Sequence, residues 1–417
     1  MGKLIVIPPP EPGHTRAAAA NDEARTARLR ARQAEHRRTL QDFAARATGG
    51  ETFTGGAPAS ERAARRPASR PPRYKILEGI GALLLDEEDV DRRYVEESLG
   101  AVVVENGPAA CRASAPAFSG LKRPEPNFWH LEKINVKALR DRGVTGAGVA
   151  VGLLDSGIQG SHPEFAGKKI HFAHFDQDGN QTDAAPKDFG YHGTHVAGLI
   201  AGRNTGVAPD ATLAVAAVLT EKRGSACHHA AILAGLDWLI KTDFLDAPDE
   251  PGCAVINSSL QIKGFNIFLY GFLATAGAAP GSLLVAAGGN FGTVNPGQPT
   301  TPGNYDIVVG VGATDADDRV ALFSQWGVVK ELGGIAKPDL CAPGVDIWSS
   351  GHNNGYTKMS GTSMASPLAC GAAALLIQQN PALARDPRRL KEALLRHTRP
   401  LPLEGPKAGR GRLQLGP

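Results

Sequence analysis

The sequence has 417 residues, of which 42% are hydrophobic and 21% are charged, and its formal net charge is +3. This length gives room for two or three domains, and this composition excludes a wholly disordered chain. Five scattered cysteines predict neither a disulfide framework nor a cysteine-rich zinc site, and no apolar run approaches the roughly 18 residues that a membrane helix needs.

Basic residues concentrate at the start of the chain. Residues 1–73 contain fourteen basic and seven acidic side chains, a net charge of +7, which leaves −4 for the remainder. This asymmetry predicts a separate segment over residues 1–75. Within it we expect a strand at Lys3–Ile7, a helix of about 25 residues over 21–46, and a flexible connection over 49–72. We interpret the helix charges as a solvated face, with docking on the acidic remainder as the alternative. Few aromatic residues accompany them, so nucleic-acid binding is not predicted.

A small second unit is predicted over residues 76–126. Apolar runs predict strands at Ala82–Leu85 and Ala101–Glu105. Acidic residues from Asp86 onward and a glycine at position 100 predict a helix between the two strands. The pattern is that of a β-α-β unit followed by a linker.

From residue 127 to 417 the pattern changes to apolar runs that alternate with helical segments. The runs lie at Val149–Leu154, Thr212–Leu219, Ala254–Asn257, Leu283–Ala287 and Ile307–Val311. Buried parallel strands read as continuous apolar runs. We therefore expect an α/β domain with a doubly wound, mostly parallel sheet flanked by helices.

Three short motifs carry the groups that amide hydrolysis requires. Asp155 ends a predicted strand, His192 opens the helix of HGTHVAG, and Ser363 lies in GTSMASP before an alanine-rich helix. A hydroxyl nucleophile needs an imidazole to take its proton, and the imidazole needs a carboxylate to fix its tautomer. Asn290, after the strand of LLVAAGGN, can donate a side-chain amide to an oxyanion.

In this order, Asp, His and then Ser, the motifs resemble those of the subtilisin-like serine proteases (subtilases, peptidase family S8). The resemblance covers nearly all of residues 127–413 and includes TGAGV at 145–149, GVAP at 206–209 and KPDLCAPG at 337–344. It implies that Asp155 orients the base, His192 acts as general base and acid, and Ser363 is the nucleophile. It further implies that Asn290 and the Ser363 N–H form the oxyanion hole. The implied walls of the substrate cleft are Ser259, Leu260, Gln261, Ala287, Gly288 and Gly289.

The implied function is a serine endopeptidase that acts on protein or peptide substrates through an acyl-enzyme and needs no cofactor. The 76–126 unit resembles part of a subtilase propeptide, which implies an intramolecular inhibitor cut between Glu105 and Pro126. The alternative is a self-inhibited subtilisin-fold scaffold without turnover. An α/β-hydrolase esterase is disfavoured, because that fold presents Ser, then Asp, then His along the chain.

Three features depart from the family pattern. Gln261 replaces a more usual glycine, which predicts a narrowed cleft or a bond to substrate. The short loop at 201–205 argues against the calcium site of many secreted members, so no metal ligands are assigned, although Asp176 and its neighbours leave a structural calcium site open. The chain start shows no Sec signal, which predicts a cytoplasmic location, with non-Sec export as the alternative.

Overall fold

The computed structural model describes residues 3–7, 38–46, 74–77, 82–86, 92–97, 101–109, 126–220, 227–247, 252–276, 281–294 and 297–416. The chain divides into two compact units, Met1–Gly107 and Pro108–Pro417. The predictions for the first part of the N-terminal helix, the 49–72 connection and most of the 109–126 linker lie outside the described residues.

The first unit contains a four-stranded antiparallel sheet. Its strands are β1 (Lys3–Ile7), β2 (Tyr74–Leu77), β3 (Ala82–Asp86) and β4 (Val102–Glu105), in the order β2-β3-β1-β4. Helices α1 (38–46) and α2 (Arg92–Glu97) accompany them. The first strand pairs with both β3 and β4, so it separates the two strands of the predicted β-α-β unit.

The second unit is built on a ten-stranded sheet in the order β19-β20-β16-β13-β12-β11-β6-β9-β7-β8. Its strands are β6 (Ala150–Asp155), β7 (Ile170–Phe175), β8 (Gln181–Thr182), β9 (Thr212–Ala217), β11 (Val255–Ser258), β12 (Leu283–Ala287), β13 (Val309–Thr314), β16 (Leu340–Pro343), β19 (Thr398–Arg399) and β20 (Arg412–Leu413). All pairs from β20 to β7 are parallel, and only the edge strands β19 and β8 are antiparallel. The predicted mostly parallel sheet is confirmed.

Smaller strand pairs and helices complete this unit. The pairs are β5 (Pro108–Ala109) with β10 (Cys227–His228), β14 (Gly327–Val329) with β15 (Ile335–Lys337), and β17 (Ile347–Ser350) with β18 (Tyr356–Met359). The α-helices are α3 (Trp129–Lys133), α4 (Lys137–Arg140), α5 (His192–Ala201), α6 (His229–Lys241), α7 (Ile267–Ala276), α8 (Thr362–Gln379) and α9 (Pro387–Arg396). Short 3₁₀ helices lie at Pro163–Phe165, Lys330–Leu332, His352–Asn354, Pro381–Leu383 and Pro402–Ala408. None of the described helices is long and apolar enough to cross a membrane.

Alternate residues of each strand point to opposite faces of the sheet. Both faces are apolar, and helices cover both of them. Val151 and Leu153 of β6 are buried in the same core cluster as residues of α5 and α8. On the other face, Gly235 of α6 packs so closely against Leu154 that an added Cβ would lie 2.9 Å from that side chain. This two-sided burial explains why the strands read as continuous apolar runs.

The strand order places a crevice at the carboxyl end of β6. The chain leaves β6 for β7 and β9 on one side and then returns to build β11, β12, β13 and β16 on the other. In open α/β sheets, functional groups gather outside the strand ends where the order reverses in this way. Asp155 is the last residue of β6 and lies at this point.

Candidate active site

A buried Asp–His pair lies at the reversal point of the sheet. Asp155 ends β6 and His192 begins α5, and both side chains are shielded from solvent. Nδ1 of His192 is 2.8 Å from Oδ1 and 3.0 Å from Oδ2 of Asp155. A carboxylate in this position accepts a hydrogen bond from Nδ1–H, which leaves the Nε2 lone pair as the basic site of the neutral ring.

The surroundings of His192 make it a stronger base. Burial disfavours the imidazolium form, but the adjacent Asp155 charge and hydrogen bond, with the Asp188 charge, outweigh burial and raise the pKa of His192. Nε2 is buried and has no hydrogen-bond partner among the described residues. The ring is therefore fixed at one nitrogen and available at the other.

Asp188 is a site residue that the sequence analysis missed. Its carboxylate accepts five hydrogen bonds, from Ser156 Oγ, from the backbone N–H groups of Gly190, Tyr191 and Thr194, and from Thr194 Oγ1. It thereby satisfies N–H groups at the start of α5 and ties that helix to the residue after Asp155. An acidic residue four positions before a predicted helix start was the signal that could have identified it.

Ser363 is the second residue of α8 and is 1% exposed. Its Oγ donates to the carbonyl oxygen of Ser259 at 3.1 Å. Pro367, four residues later, has no N–H, so it cannot donate the helical hydrogen bond that the Ser363 carbonyl would otherwise accept. The hydroxyl of Ser259 fills this position, donating to the Ser363 carbonyl oxygen at 2.9 Å.

Further hydrogen bonds anchor the start of α8 on the sheet. Asn257 in β11 donates from Nδ2 to Ser259 Oγ at 2.9 Å, and its Oδ1 accepts from Ser366 Oγ at 2.5 Å. Asn257 thus contacts α8 directly through Ser366 and indirectly through Ser259, and all three side chains are buried. Buried polar networks in which each member has a partner fix geometry tightly.

Asn290 lies three residues after β12, beside the start of α8. Its Oδ1 accepts hydrogen bonds from the backbone N–H and Oγ1 of Thr362, both at 2.8 Å. Because a backbone N–H can only donate, the oxygen of the amide faces Thr362 and the Nδ2 group faces the other way. The amide is therefore held by the residue that directly precedes Ser363, with its Nδ2 donor turned away from that residue.

The residues predicted to line the cleft lie at the ends of two adjacent strands. Ser259, Leu260 and Gln261 follow β11, while Ala287 ends β12 and is followed by Gly288 and Gly289. All six are buried. The side chain of Gln261 bonds within the protein, since its Oε1 accepts from the backbone N–H of Asn290 at 2.9 Å.

Asp176, where a structural calcium site was left open, and the buried Glu164 are both satisfied by protein donors. Asp176 accepts three hydrogen bonds from residues of its own turn. Glu164 accepts five, from Tyr356, Asn204 and Thr205. Within the described parts of the chain, no cluster of three or more His, Cys, Asp or Glu side chains is arranged to hold a metal ion.

Comparison with known proteins agrees with this geometry. Residues 146–412 match the Subtilase family. An alkaline protease of Alkalihalobacillus alcalophilus is 32% identical over 320 residues, which cover 72% of this chain and 75% of that protein. Subtilisin Savinase of Lederbergia lenta is 35% identical over 262 residues, covering 61% and 85% respectively. Subtilisin-like protease PopC of Myxococcus xanthus strain DK1622 is 31% identical over 328 residues, covering 73% and 67%.

These relatives correct one prediction. The cytoplasmic location was inferred from the lack of a Sec signal at the start of the sequence, and it is wrong, because the relatives are extracellular subtilisins and alkaline proteases. The composition of the first few residues is thus no guide to the compartment. The family match covers most of the second unit, and the relatives are subtilisins and alkaline proteases. The chain therefore belongs to the subtilase family and is a subtilisin-like serine endopeptidase.

Proposed function

We propose that Asp155, His192 and Ser363 form the catalytic triad of this endopeptidase. The observation that carries the proposal is the fixed imidazole, with Nδ1 bonded to Asp155 and Nε2 buried without a hydrogen-bond partner among the described residues. A base of this kind is what a serine hydroxyl needs in order to attack a carbonyl carbon. Packing of α5 on α8, which begin at His192 and Thr362, supports a role for both helices in one site.

In the first half of the reaction, Ser363 Oγ exchanges its bond to the Ser259 carbonyl for one to Nε2 of His192. Oγ then attacks the substrate carbonyl carbon while its proton passes to Nε2, and the carbonyl π electrons move onto oxygen. Asn290 Nδ2 and the Ser363 N–H donate to this oxyanion. Collapse of the intermediate breaks the C–N bond, and the proton on Nε2 goes to the leaving amine. An acyl-enzyme ester remains.

In the second half, a water molecule replaces the amine. His192 Nε2 takes one proton from the water, whose oxygen attacks the ester carbon. The second tetrahedral intermediate collapses, the ester bond to Oγ breaks, and the proton returns to Oγ. Asp155 stabilises the imidazolium in both halves without accepting its proton.

We also propose that the substrate cleft is lined by Ser259, Leu260 and Gln261 on one side and by 287–289 on the other. These segments end the neighbouring strands β11 and β12, next to the start of α8. An extended peptide that adds to such segments gains affinity from backbone hydrogen bonds and specificity from side-chain pockets.

The N-terminal region is proposed to act as a self-processed inhibitor. Strands β1 to β4 form a sheet with its own buried core, which supports an independent folding unit. The next residues, Pro108–Ala109, pair in antiparallel fashion with Cys227–His228, immediately before α6. This pairing supports binding of the segment that follows Gly107 as an added strand, a mode by which extended peptides are bound.

Intact-mass spectrometry over time tests both proposals. We expect wild type to lose its first 105 to 125 residues, by the cut placed above between Glu105 and Pro126, and Ser363→Ala to remain whole. Ser161→Ala, which changes an exposed serine in the same domain, is the matched control and should be cut like wild type. Labelling with a fluorophosphonate reports the nucleophile directly, because the reagent forms a covalent bond to an activated serine oxygen.

The two readouts separate the proposals. Labelling of wild type and Ser161→Ala but not of Ser363→Ala or His192→Ala is the result that the triad requires. Equal labelling of Ser363→Ala would contradict the triad. Labelling of a wild-type chain that stays whole would contradict self-processing and leave the triad standing.

A further inference from the structure

The loop that carries Asn290 is held by side chains rather than by regular secondary structure. Three successive backbone N–H groups each donate to a side-chain oxygen, and each oxygen belongs to a different part of the domain. Gly289 donates to Thr362 Oγ1 at 3.2 Å, Asn290 to Gln261 Oε1 at 2.9 Å, and Phe291 to Gln325 Oε1 at 3.2 Å. The shortest of these bonds belongs to Asn290 and is supplied by Gln261.

There is little room for this loop to shift. Gly289 has a φ of +115°, and an added Cβ would lie 2.2 Å from Gln325 Oε1 and 2.6 Å from Thr300 Oγ1. Its carbonyl also accepts a hydrogen bond from the Gln325 backbone N–H at 3.0 Å. The loop therefore fits its support closely, so a change in one supporting side chain is expected to move the Asn290 amide.

Gln261 is well placed for this role. It follows β11 by three residues, and it is 4% exposed. The neighbouring Ser259 is in contact with Ser363 through two hydrogen bonds. One short segment after β11 thus contacts the nucleophile through Ser259 and the amide-bearing loop through Gln261.

We propose that Gln261 is a positioning residue. Its side-chain oxygen accepts a hydrogen bond from the Asn290 backbone N–H and thereby fixes the Asn290 amide relative to Ser363. The inference rests on the proposed function, in which Asn290 donates to the oxyanion. The glycine expected here from the resemblance described in the sequence analysis has no side-chain acceptor. The glutamine is thus a feature of this chain rather than of the motif that identified its family.

The test measures kcat and KM for a peptide substrate in the full chain, with active sites counted by fluorophosphonate labelling. Gln261→Met keeps the volume of the side chain and removes its acceptor. Removal of an oxyanion donor costs about 100- to 1,000-fold in rate, so displacement of that donor should cost less, about tenfold in kcat. KM should change by less than about twofold, because the donor acts mainly in the transition state.

A double-mutant cycle with Asn290→Ala separates positioning from general destabilisation. If Gln261 acts through Asn290, the double variant should be no slower than Asn290→Ala alone. Losses that multiply, or an unchanged kcat in Gln261→Met, would overturn the inference. Gln261→Gly is the second variant should methionine prevent folding, and the same cycle applies to it. Failure of the proposed function gives a different pattern, in which Asn290→Ala itself has wild-type kcat.

Discussion

Two buried histidines predict that the peptidase domain loses stability in mild acid. His130 and His195 have no exposed surface. Nε2 of His130 lies 3.1 Å from the Thr205 carbonyl oxygen, and Nε2 of His195 lies 3.1 and 3.0 Å from those of Ile347 and Thr357. A carbonyl can only accept, so each ring carries a proton on Nε2. Nδ1 of each ring is buried without a partner among the described residues, which favours the neutral form.

The magnitude follows from the pKa values. Burial, aided by the charge of Arg140, lowers the pKa of His130 to about 4. Burial, aided by the charge of His192, lowers the pKa of His195 to about 3. The ordinary value is 6.5, so below pH 6.5 the unfolded chain binds protons that the folded chain does not. The stabilisation is therefore complete above pH 6.5 and is lost as the pH falls toward 4 and 3.

Each histidine is expected to reduce the free energy of unfolding by about 2 kcal/mol between pH 7.5 and pH 5, and the pair by about 4 kcal/mol. That is a large part of the roughly 5 to 15 kcal/mol by which a typical domain is stable. A domain of ordinary stability would thus approach unfolding well before its carboxylates are protonated.

Urea unfolding of Ser363→Ala, which prevents self-digestion, measures this loss at pH 5 and pH 7.5. His130→Gln keeps an N–H donor for the Thr205 carbonyl but cannot take up a proton. In the Ser363→Ala background it should reduce the difference between the two pH values by about 2 kcal/mol. An unchanged difference would refute the reasoning, whatever the substitution does to stability at pH 7.5.

Three further predictions concern single carboxylates and one lysine. Asp188→Asn should move the acidic limb of the kcat/KM profile to lower pH, because the Asp188 charge helps to raise the pKa of His192; an unmoved limb would contradict that role. Glu164→Gln should lower the free energy of unfolding by about 1 to 3 kcal/mol, equally in calcium and in EDTA, because its five partners are protein donors; a loss seen only with calcium would point to a metal. Burial, with repulsion from Lys391, lowers the pKa of Lys337 from 10.5 to about 8 despite Asp339. Stability should therefore rise by about 3 kcal/mol from pH 8 to 10.5, and Lys337→Met should remove that rise in denaturant titrations.

The fold could be predicted from the sequence because burial on both faces gives each strand an uninterrupted apolar run. The predicted Val149–Leu154 and Leu283–Ala287 correspond to strands Ala150–Asp155 and Leu283–Ala287. The prediction of Ile307–Val311 began too early, since the strand starts at Val309. Ile307 is 37% exposed and lies in the turn closed by the hydrogen bond from Val308 N–H to the Tyr305 carbonyl. An apolar run does not reveal where such a turn ends.

Residues that support the site were harder to predict than the residues proposed to carry its chemistry. Asp155, His192 and Ser363 are marked by the glycines around them, since Gly193 and similar positions leave no space for a side chain. Asp188 lies outside the motif of His192, although it accepts from backbone groups of Tyr191 and Thr194. Gln261 accepts from a backbone group 29 residues away in the sequence. The direction of the Gln261 side chain could not be inferred, because the alternation of β11 ends at Ser258.

The order of strands in the large sheet also bears on when the enzyme can first act during its own folding. Ser259 and Ser363, which exchange two hydrogen bonds, are 104 residues apart, and Asp155 lies a further hundred or so residues earlier in the chain. Contacts between such distant segments form late, because the entropy of closing long loops opposes them. Under the triad proposed above, a nascent or partly folded chain that lacks α8 has no nucleophile beside its base, so hydrolysis begins only after the sheet strands that precede α8 in the chain have been made.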